Sequence, residues 1–406
     1  MVVALALAAC SAPSAAEIEL PPQTDADLSA EVVEQLQGAV THAMAATGSP
    51  GAIVGVWAPW SGAWVAGLGT RQPAGAGGAV STDQQFKATQ VTRAMTCDVL
   101  YTLAAHGTVS LDDPVTEYVS GVADLSQVTL GQLCDGTAGI GTYSAQLLAT
   151  WLSKPDRVWN PRELASYGMG IGRTAPGAVY RDSDASYALL GVALEHASGS
   201  SAAQLIDEYV ADPLSLTATQ LPADGAGFPS SMLAGYLSLR DAAGAMNCAA
   251  PVDITQLSAS TGFTDSGVVT DIHDLGRYAQ ALAAGSLLPE SADRLEGALP
   301  AYDGAPSWFT TSGGVYQAGS LVGQYGSVPG YATAAFADPS SGLTVAVVLN
   351  NSGAGAPAAL NLAWELAAIA SKAPAAAGDA APEAGLPWTA QQYHDAITAA
   401  AICPIP

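Results

Sequence analysis

Apolar residues recur along the first part of the chain with two different periods. Residues 28–46 carry an apolar residue at every fourth position, a spacing that predicts an amphipathic helix. These residues are Val32, Leu36, Val40 and Met44. Two β-rich runs follow at residues 52–57 and 63–68, and the Pro-Trp-Ser-Gly sequence between them has the composition of a turn. The pattern therefore predicts a helix followed by a β-hairpin.

A long helical block separates this hairpin from the remaining strand signals. Residues 115–260 consist mostly of helical segments between Gly, Pro and Ser turns, whereas strand-like runs return at residues 312–350, most clearly at 343–349. Further helices are predicted at residues 92–106, 270–284, 356–371 and 388–401. Strands at both ends of the chain predict an α+β fold with one antiparallel sheet, flanking helices and an inserted all-helical lobe. A cleft between sheet and lobe is a usual place for a ligand.

The same patterns divide the chain into three parts. Residues 1–27 are interpreted as a signal-peptide remnant and tether, and residues 28–372 as one domain whose helical lobe covers about 115–260. Residues 373–406 are expected to form an Ala/Pro-rich linker and a short C-terminal helix.

The charge of the chain excludes two classes of partner. The chain of 406 residues carries 36 Asp and Glu against 12 Lys and Arg, a net charge of −24. Nucleic acid needs clustered basic residues, and an anionic lipid surface would repel the folded body. We interpret the acidity as a source of solubility and not as a recognition surface.

The N-terminus resembles the start of a bacterial lipoprotein. Residues 1–9 are apolar, and Leu7-Ala-Ala-Cys10 resembles a lipobox, in which Cys10 is lipidated after cleavage before it. No basic residue precedes Arg71, so a true start upstream of Met1 stays open, as does an incidental cysteine in an unanchored segment. The expectation is an extracytoplasmic protein that reaches the membrane only through a lipid on Cys10.

Four further cysteines favour disulfides in an exported protein. Four cysteines allow three pairings, which the sequence does not separate, and buried free thiols are the alternative. We predict Cys97–Cys134 and Cys248–Cys403, the second of which would fasten the C-terminal tail. No Cys-x-x-Cys or His-rich spacing indicates a metal site, and no cofactor is expected.

Residues 86–93, Phe-Lys-Ala-Thr-Gln-Val-Thr-Arg, resemble the Phe-x-x-x-Ser-x-x-Lys segment of serine β-lactamases and D-alanyl-D-alanine carboxypeptidases. Further stretches resemble that family in the same order along the chain. They are residues 109–115, 128–140, 176–191, 267–278 and 323–331. The resemblance implies a β-lactamase/transpeptidase-like fold and, in the family, a serine hydrolase of the class C β-lactamase type.

Each catalytic position of that family holds a different residue here. Gln90 stands where the family has its nucleophilic serine, and Arg93 where it has the lysine that helps to take the serine proton. Asp182 and Asp184 replace the Tyr and Asn of Tyr-x-Asn, and Gln324 replaces the basic residue or histidine of the third motif. Gln90 has no nucleophilic oxygen, and the Arg93 guanidinium stays protonated, so the usual acyl transfer is not expected.

Other groups could still carry chemistry or structure. Thr89 and Thr92 are alternative hydroxyls without a basic partner in sequence, and an Asp182/Asp184 pair could act as acid and base. We favour a structural interpretation, in which Arg93 forms a charge-assisted pair with one of these aspartates. The five histidines lie on predicted helices or their ends, away from the catalytic motifs. They are His42, His106, His196, His273 and His394.

The backbone could still form a pocket that binds a ligand without acylation. The family's oxyanion hole uses backbone N–H groups, which here belong to Gln90 and Ser327. The expected pocket consists of Gln90, Arg93, Asp182, Asp184, Gln324, Tyr325, Gly326 and Ser327. The hypothesis is a degenerate, envelope-anchored binding or regulatory protein for peptidoglycan stem peptides or a protein partner. An active hydrolase with a rearranged site, and a structural protein whose cleft is closed, are the alternatives.

Overall fold

A computed structural model describes residues 18–21, 23–222, 228, 231–382 and 385–405. The lipobox and Cys10 lie outside the described residues, so the lipid anchor stays a prediction. No helix within the described ranges has the length and apolarity that crossing a bilayer requires.

The strands form one large antiparallel sheet and two small pairs. They are β1 (Gly51–Ala58), β2 (Gly62–Gly69), β3 (Phe86–Lys87), β4 (Tyr236–Leu237), β5 (Val252–Asp253), β6 (Val269–Thr270), β7 (Leu299–Pro300), β8 (Phe309–Ser312), β9 (Val315–Ala318), β10 (Leu321–Val328), β11 (Tyr331–Ala337) and β12 (Thr344–Leu349). The large sheet has the order β2-β1-β12-β11-β10-β9-β8-β7. The N-terminal hairpin pairs with the last strand, which confirms the predicted sheet of N- and C-terminal parts.

The helices follow the predicted pattern with small shifts of their ends. They are α1 (Ala30–Thr47), α2 (Val91–Ala105), α3 (Leu130–Cys134), α4 (Ser144–Ser153), α5 (Pro161–Met169), α6 (Asp184–Ser198), α7 (Ala202–Ile206), α8 (Phe263–Ser266), α9 (Ile272–Ala284), α10 (Ala356–Ala370) and α11 (Ala390–Ala399). The Ser29 side chain caps α1 by accepting a hydrogen bond from the Val32 N–H. Just beyond α2, Gly107 has a φ of +72°, which a glycine adopts without strain.

Both faces of the large sheet are covered, and alternation along the strands decides which residue faces which layer. In β1, Val54 and Val56 belong to the apolar cluster that contains α1 and α10, whereas Ile53 belongs to the cluster that contains α2 and the helical lobe. In β12, Val347 belongs to the cluster with α1 and α10, and Val348 to the cluster with α2 and the lobe. The sheet is therefore the middle layer of the molecule, and α2 starts where the sheet and the lobe meet.

Both predicted disulfides are present. Cys97 on α2 is bonded to Cys134 on α3, and Cys248 between β4 and β5 is bonded to Cys403 near the C-terminus. The second bond confirms that the C-terminal tail is fastened to the body. Helix α11 packs against α10 and α1, so the C-terminal segment lies on the domain and not apart from it.

Candidate functional site

The segment before α2 contains Thr89 and places Gln90 against Gly326 of β10. Thr89 has a φ of +54°, a left-handed conformation that is costly for a β-branched residue. Its hydroxyl is buried and has no hydrogen-bond partner, so no base activates it. Thr92 is also buried, and its hydroxyl accepts a hydrogen bond from the Val268 N–H at 3.2 Å. Neither threonine has the basic neighbour that a nucleophile needs.

Gln90 fills the space in front of α2 with its own side chain. Its Nε2 lies 3.4 Å from Asp265 Oδ2, and its Oε1 is buried without a partner. A β-carbon built on Gly326 of β10 would stand 2.6 Å from the Gln90 β-carbon. The amide therefore packs directly against the strand that faces it.

Arg93 lies one turn further along α2 and is held by two carboxylates. Its Nε donates to Asp265 Oδ1 at 2.7 Å, and its Nη1 donates to Asp182 Oδ1. The Arg93 and Asp265 side chains are 5% and 3% exposed, whereas that of Asp182 is 64% exposed. The Tyr187 ring covers the guanidinium at 4.7 Å. Burial would lower the pKa of Arg93, but the two carboxylates raise it well above its ordinary value, so Arg93 stays charged.

The prediction that Arg93 pairs with one of Asp182 and Asp184 is confirmed, and the partner is Asp182. The second partner is Asp265 on α8, which no spacing in the sequence indicated. Asp184 instead accepts hydrogen bonds at the start of α4, from the Tyr143 N–H at 2.7 Å and the Ser144 N–H at 2.9 Å. The Thr142 hydroxyl also donates to it at 2.5 Å. Burial raises the pKa of Asp184 to about 6, and the charge of Asp265 adds to this shift while the hydrogen bonds oppose it.

Gln324, at the position of the family's third motif, makes hydrogen bonds within the sheet. Gln324 Nε2 donates to Gly314 O at 2.8 Å, and its Oε1 accepts from the Tyr325 N–H at 2.8 Å. Gly314 lies in the turn between β8 and β9, so the Gln324 amide holds that turn, with one bond from its nitrogen and one to its oxygen. Tyr325 packs on Tyr316 with ring centroids 4.9 Å apart. Burial, together with the nearby charge of Asp182, raises the pKa of Tyr325 to about 12, so its hydroxyl stays protonated.

A small cavity remains between the sheet and the lobe. Gln90, Asp184 and Ser327, three of the predicted pocket residues, line it, and so do Asp265 and Lys87. Its volume of about 30 Å³ accommodates a few water molecules. The other five predicted pocket residues are not part of its lining, because they lie in the ion-pair and sheet contacts described above; they are Arg93, Asp182, Gln324, Tyr325 and Gly326.

Lys87 is the residue of this cavity that the sequence interpretation missed. It lies on β3, is 4% exposed, and its Nζ donates to the Leu257 carbonyl at 3.4 Å. No carboxylate of the described residues lies within salt-bridge distance of it, and the Phe228 ring lies 4.9 Å from Nζ. Burial lowers the pKa of Lys87 to about 8. The sequence holds only two other lysines, Lys154 and Lys372, so the scarcity of lysine was the one available signal.

The fold around this site matches one protein family over most of its length. The family model described as Beta-lactamase matches residues 36–369. The chain belongs to the beta-lactamase family. The sheet order and inserted helices of this beta-lactamase-family protein are those of the β-lactamase/transpeptidase-like fold, as the sequence resemblance implied.

Solved structures with related folds come from enzymes and penicillin-binding proteins. A D-stereospecific amidohydrolase from Streptomyces sp. is 24% identical with a TM-score of 0.67, over 79% of this chain and 94% of that one. The D-amino acid amidase of Ochrobactrum anthropi SV3, complexed with L-phenylalanine amide, is 19% identical with a TM-score of 0.67, over 79% and 92%. A penicillin-binding protein from Bacillus halodurans is 19% identical with a TM-score of 0.65, over 80% and 97%.

Proposed function

We propose that this beta-lactamase-family protein does not hydrolyse the substrates of its family and acts as an envelope-anchored binding or regulatory protein. The observation that carries the proposal is the position of Gln90. Its amide occupies the space at the start of α2 and packs on Gly326, where an acyl-transfer enzyme needs a hydroxyl and a free approach to it. Among the described residues of the cleft, no serine or threonine hydroxyl is hydrogen-bonded to a lysine or histidine.

The ion pairs of Arg93 support the same conclusion. A guanidinium shared between Asp182 and Asp265 cannot accept a proton, and both carboxylates are occupied in compensating its charge. An unpaired charge at this depth would be costly, so Arg93 and the buried Asp265 need each other, and Arg93 does not act as a catalytic base.

The small size of the remaining cavity favours a protein partner over a peptidoglycan stem peptide as the ligand. A volume of about 30 Å³ is far below the roughly 300 Å³ or more of ordinary ligand pockets. We therefore favour a partner protein of the cell envelope, bound at the outer surface, over a peptidoglycan stem peptide bound in the cleft. Two disulfides support an extracytoplasmic location, and the lipobox supports an anchor at Cys10.

One observation favours a second candidate function, hydrolysis through a rearranged site. Lys87 is buried in the same cavity as Asp184 and Asp265, and a lysine with a pKa near 8 is a competent base or nucleophile near neutral pH. The candidate requires Lys87 to act on a substrate carbonyl that enters beside Gln90.

Turnover assays separate the two functions. Purified protein would be incubated with D-phenylalanine amide, a chromogenic ester and a chromogenic cephalosporin, beside the variants Lys87→Met and Lys154→Met. The proposal expects rates equal to those of buffer for all three proteins. Turnover that is lost in Lys87→Met and kept in Lys154→Met would overturn it in favour of the second candidate.

A titration tests the kind of ligand. Calorimetric titration with a synthetic stem pentapeptide that ends in D-Ala-D-Ala is expected to show no saturable binding. Saturable binding that is weakened by filling the cavity, for example with Ser327→Leu, would make the stem peptide the ligand in place of a partner protein.

A further inference from the structure

Three side chains on three different helices meet on the face of the sheet opposite to the cleft. His42 lies on α1, Glu365 on α10 and His394 on α11. His394 Nδ1 is 3.0 Å from Glu365 Oε1, and the two imidazole rings are stacked with centroids 3.8 Å apart and an angle of 17° between their planes. One nitrogen or oxygen atom from each of the three residues lies within 4.8 Å of the others.

Two polar atoms of this group are buried without a partner. Glu365 Oε2 and His42 Nδ1 make no hydrogen bond, and the Glu365 side chain is 5% exposed. A buried polar atom without a partner costs about 1–3 kcal/mol, so two of them beside each other call for an explanation. The hydrogen bond between His394 Nδ1 and Glu365 Oε1 involves neither of these two atoms, so Glu365 Oε2 and His42 Nδ1 remain without a partner.

The proton of His42 can be placed from its neighbour. The Thr398 hydroxyl donates its single proton to His394 O at 3.0 Å, so it accepts a hydrogen bond from His42 Nε2 at 3.0 Å. His42 then carries its proton on Nε2, and the buried Nδ1 presents a lone pair. A metal-binding histidine is commonly fixed in this way by a hydrogen bond from its other ring nitrogen.

We propose that His42, Glu365 and His394 bind a divalent transition-metal ion, of which Zn²⁺ is the best match. Two imidazole nitrogens and one carboxylate oxygen are ligands that zinc accepts, at about 2.0–2.2 Å each. Two such ligands of one tetrahedral ion stand about 3.4 Å apart, close to the 3.0 Å between His394 Nδ1 and Glu365 Oε1, and binding requires one of the two stacked rings to rotate so that both lone pairs face the ion. Water takes the fourth position.

The site would fasten the C-terminal helix to the body. Helix α11 is already held by the stack of Trp388 on Trp364, with centroids 4.9 Å apart, and by the Cys248–Cys403 bond beyond its end. A metal ion would add a third attachment, directly between α11, α10 and α1. His394 is 38% exposed on its side chain, which gives an ion access from solvent. The proposal is independent of the cleft and of the proposed function.

Glu365 follows His42 by 323 positions in the sequence, and His394 follows Glu365 by 29. A metal site can be recognised in a sequence when its ligands lie a few residues apart. These three ligands do not, so the sequence gave no sign of the site.

Zinc titration of the tag-free, chelator-treated full chain tests the proposal. We expect one Zn²⁺ per chain by calorimetry, and visible absorption bands of tetrahedral coordination when Co²⁺ replaces Zn²⁺. His42→Ala and Glu365→Gln each remove a ligand and should weaken zinc binding by more than the roughly 10–100-fold that loss of a hydrogen-bond partner of a ligand typically costs. His273→Ala removes an exposed histidine elsewhere and should leave binding unchanged.

Two results would overturn the site. One is the absence of stoichiometric binding to the wild-type chain. The other is equal binding by the wild type, His42→Ala and Glu365→Gln, which would mean an adventitious ion only. Glu365→Gln keeps the shape of the side chain, and the circular dichroism of each variant shows whether it is folded, so a loss of binding can be assigned to the ligand.

Discussion

The side chain of Gln90 lies so close to Gly326 that a β-carbon on residue 326 would stand 1.8 Å from Gln90 Oε1. The first residue stands where the family has its nucleophile, and the second lies on the strand that faces it. The contact therefore closes the cleft at the point where acyl transfer would take place. Because of this contact, a larger residue at position 326 requires a smaller one at position 90.

Gly326→Ala is expected to lower the free energy of unfolding by about 1–3 kcal/mol, because the new methyl group overlaps the Gln90 amide. In a Gln90→Gly background the same substitution should cost much less, since the overlapping Oε1, Cδ and Cβ atoms are all gone. Urea denaturation of the four proteins measures the coupling. Gly172→Ala is the matched control, because no atom lies within 4 Å of its β-carbon. An equal cost of Gly326→Ala in both backgrounds would contradict the packing.

Arg93→Met should destabilise the protein by about 3–5 kcal/mol, because it leaves the carboxylate of Asp265 buried without its partner. Adding Asp265→Leu should recover much of the loss, since the buried carboxylate that had lost its partner is then removed as well. The control is Arg173→Met, whose pair with Asp124 is largely exposed and should contribute about 0–1 kcal/mol. If Arg93→Met behaved like the control in denaturant titrations, the ion-pair account would be wrong.

Lys87 makes stability depend on pH. Its pKa falls to about 8 in the folded protein, below the ordinary value of 10.5, so between these pH values the unfolded chain binds more protons. The free energy of unfolding should therefore rise from about pH 8 to 10.5, by up to about 3 kcal/mol. Lys87→Met should remove this rise and raise stability at pH 7, where the charged form is penalised most.

Urea titrations at pH 7 and pH 9.5 measure the effect, with Lys154→Met as the exposed control. An identical pH dependence of Lys87→Met and the wild type would show that Lys87 is solvated in the folded state.

The sheet and the order of the helices around it were predictable from the sequence, whereas the two disulfide pairings were a choice among three that the structure confirms. Residues such as Val54, Ile53 and Val347 alternate with the period of a strand, and local periods and family stretches carry that information directly. The substitutions at Gln90 and Arg93 were equally visible, because they lie inside a stretch that otherwise matches the family.

The partners of these residues were not predictable. Asp265 meets Arg93 across 172 positions, and Lys87 becomes unusual only because the fold buries it without a carboxylate. Asp182 and Asp184 were both candidates for the pair with Arg93, and the sequence did not show that three donors at the start of α4 hold Asp184. Such contacts depend on three-dimensional packing between distant segments, which neither composition nor periodicity records.

The absence of acylating chemistry in the cleft is tested most directly by labelling with a fluorescent penicillin. Wild-type protein would be compared with the variant that carries Gln90→Ser, Arg93→Lys, Asp182→Tyr, Asp184→Asn and Gln324→His. The account predicts no covalent label on the wild-type chain at any time point, and a label on the restored variant would show that the cleft can still admit the drug. A stoichiometric acyl adduct on any residue of the wild-type protein, located by peptide mass, would contradict the account.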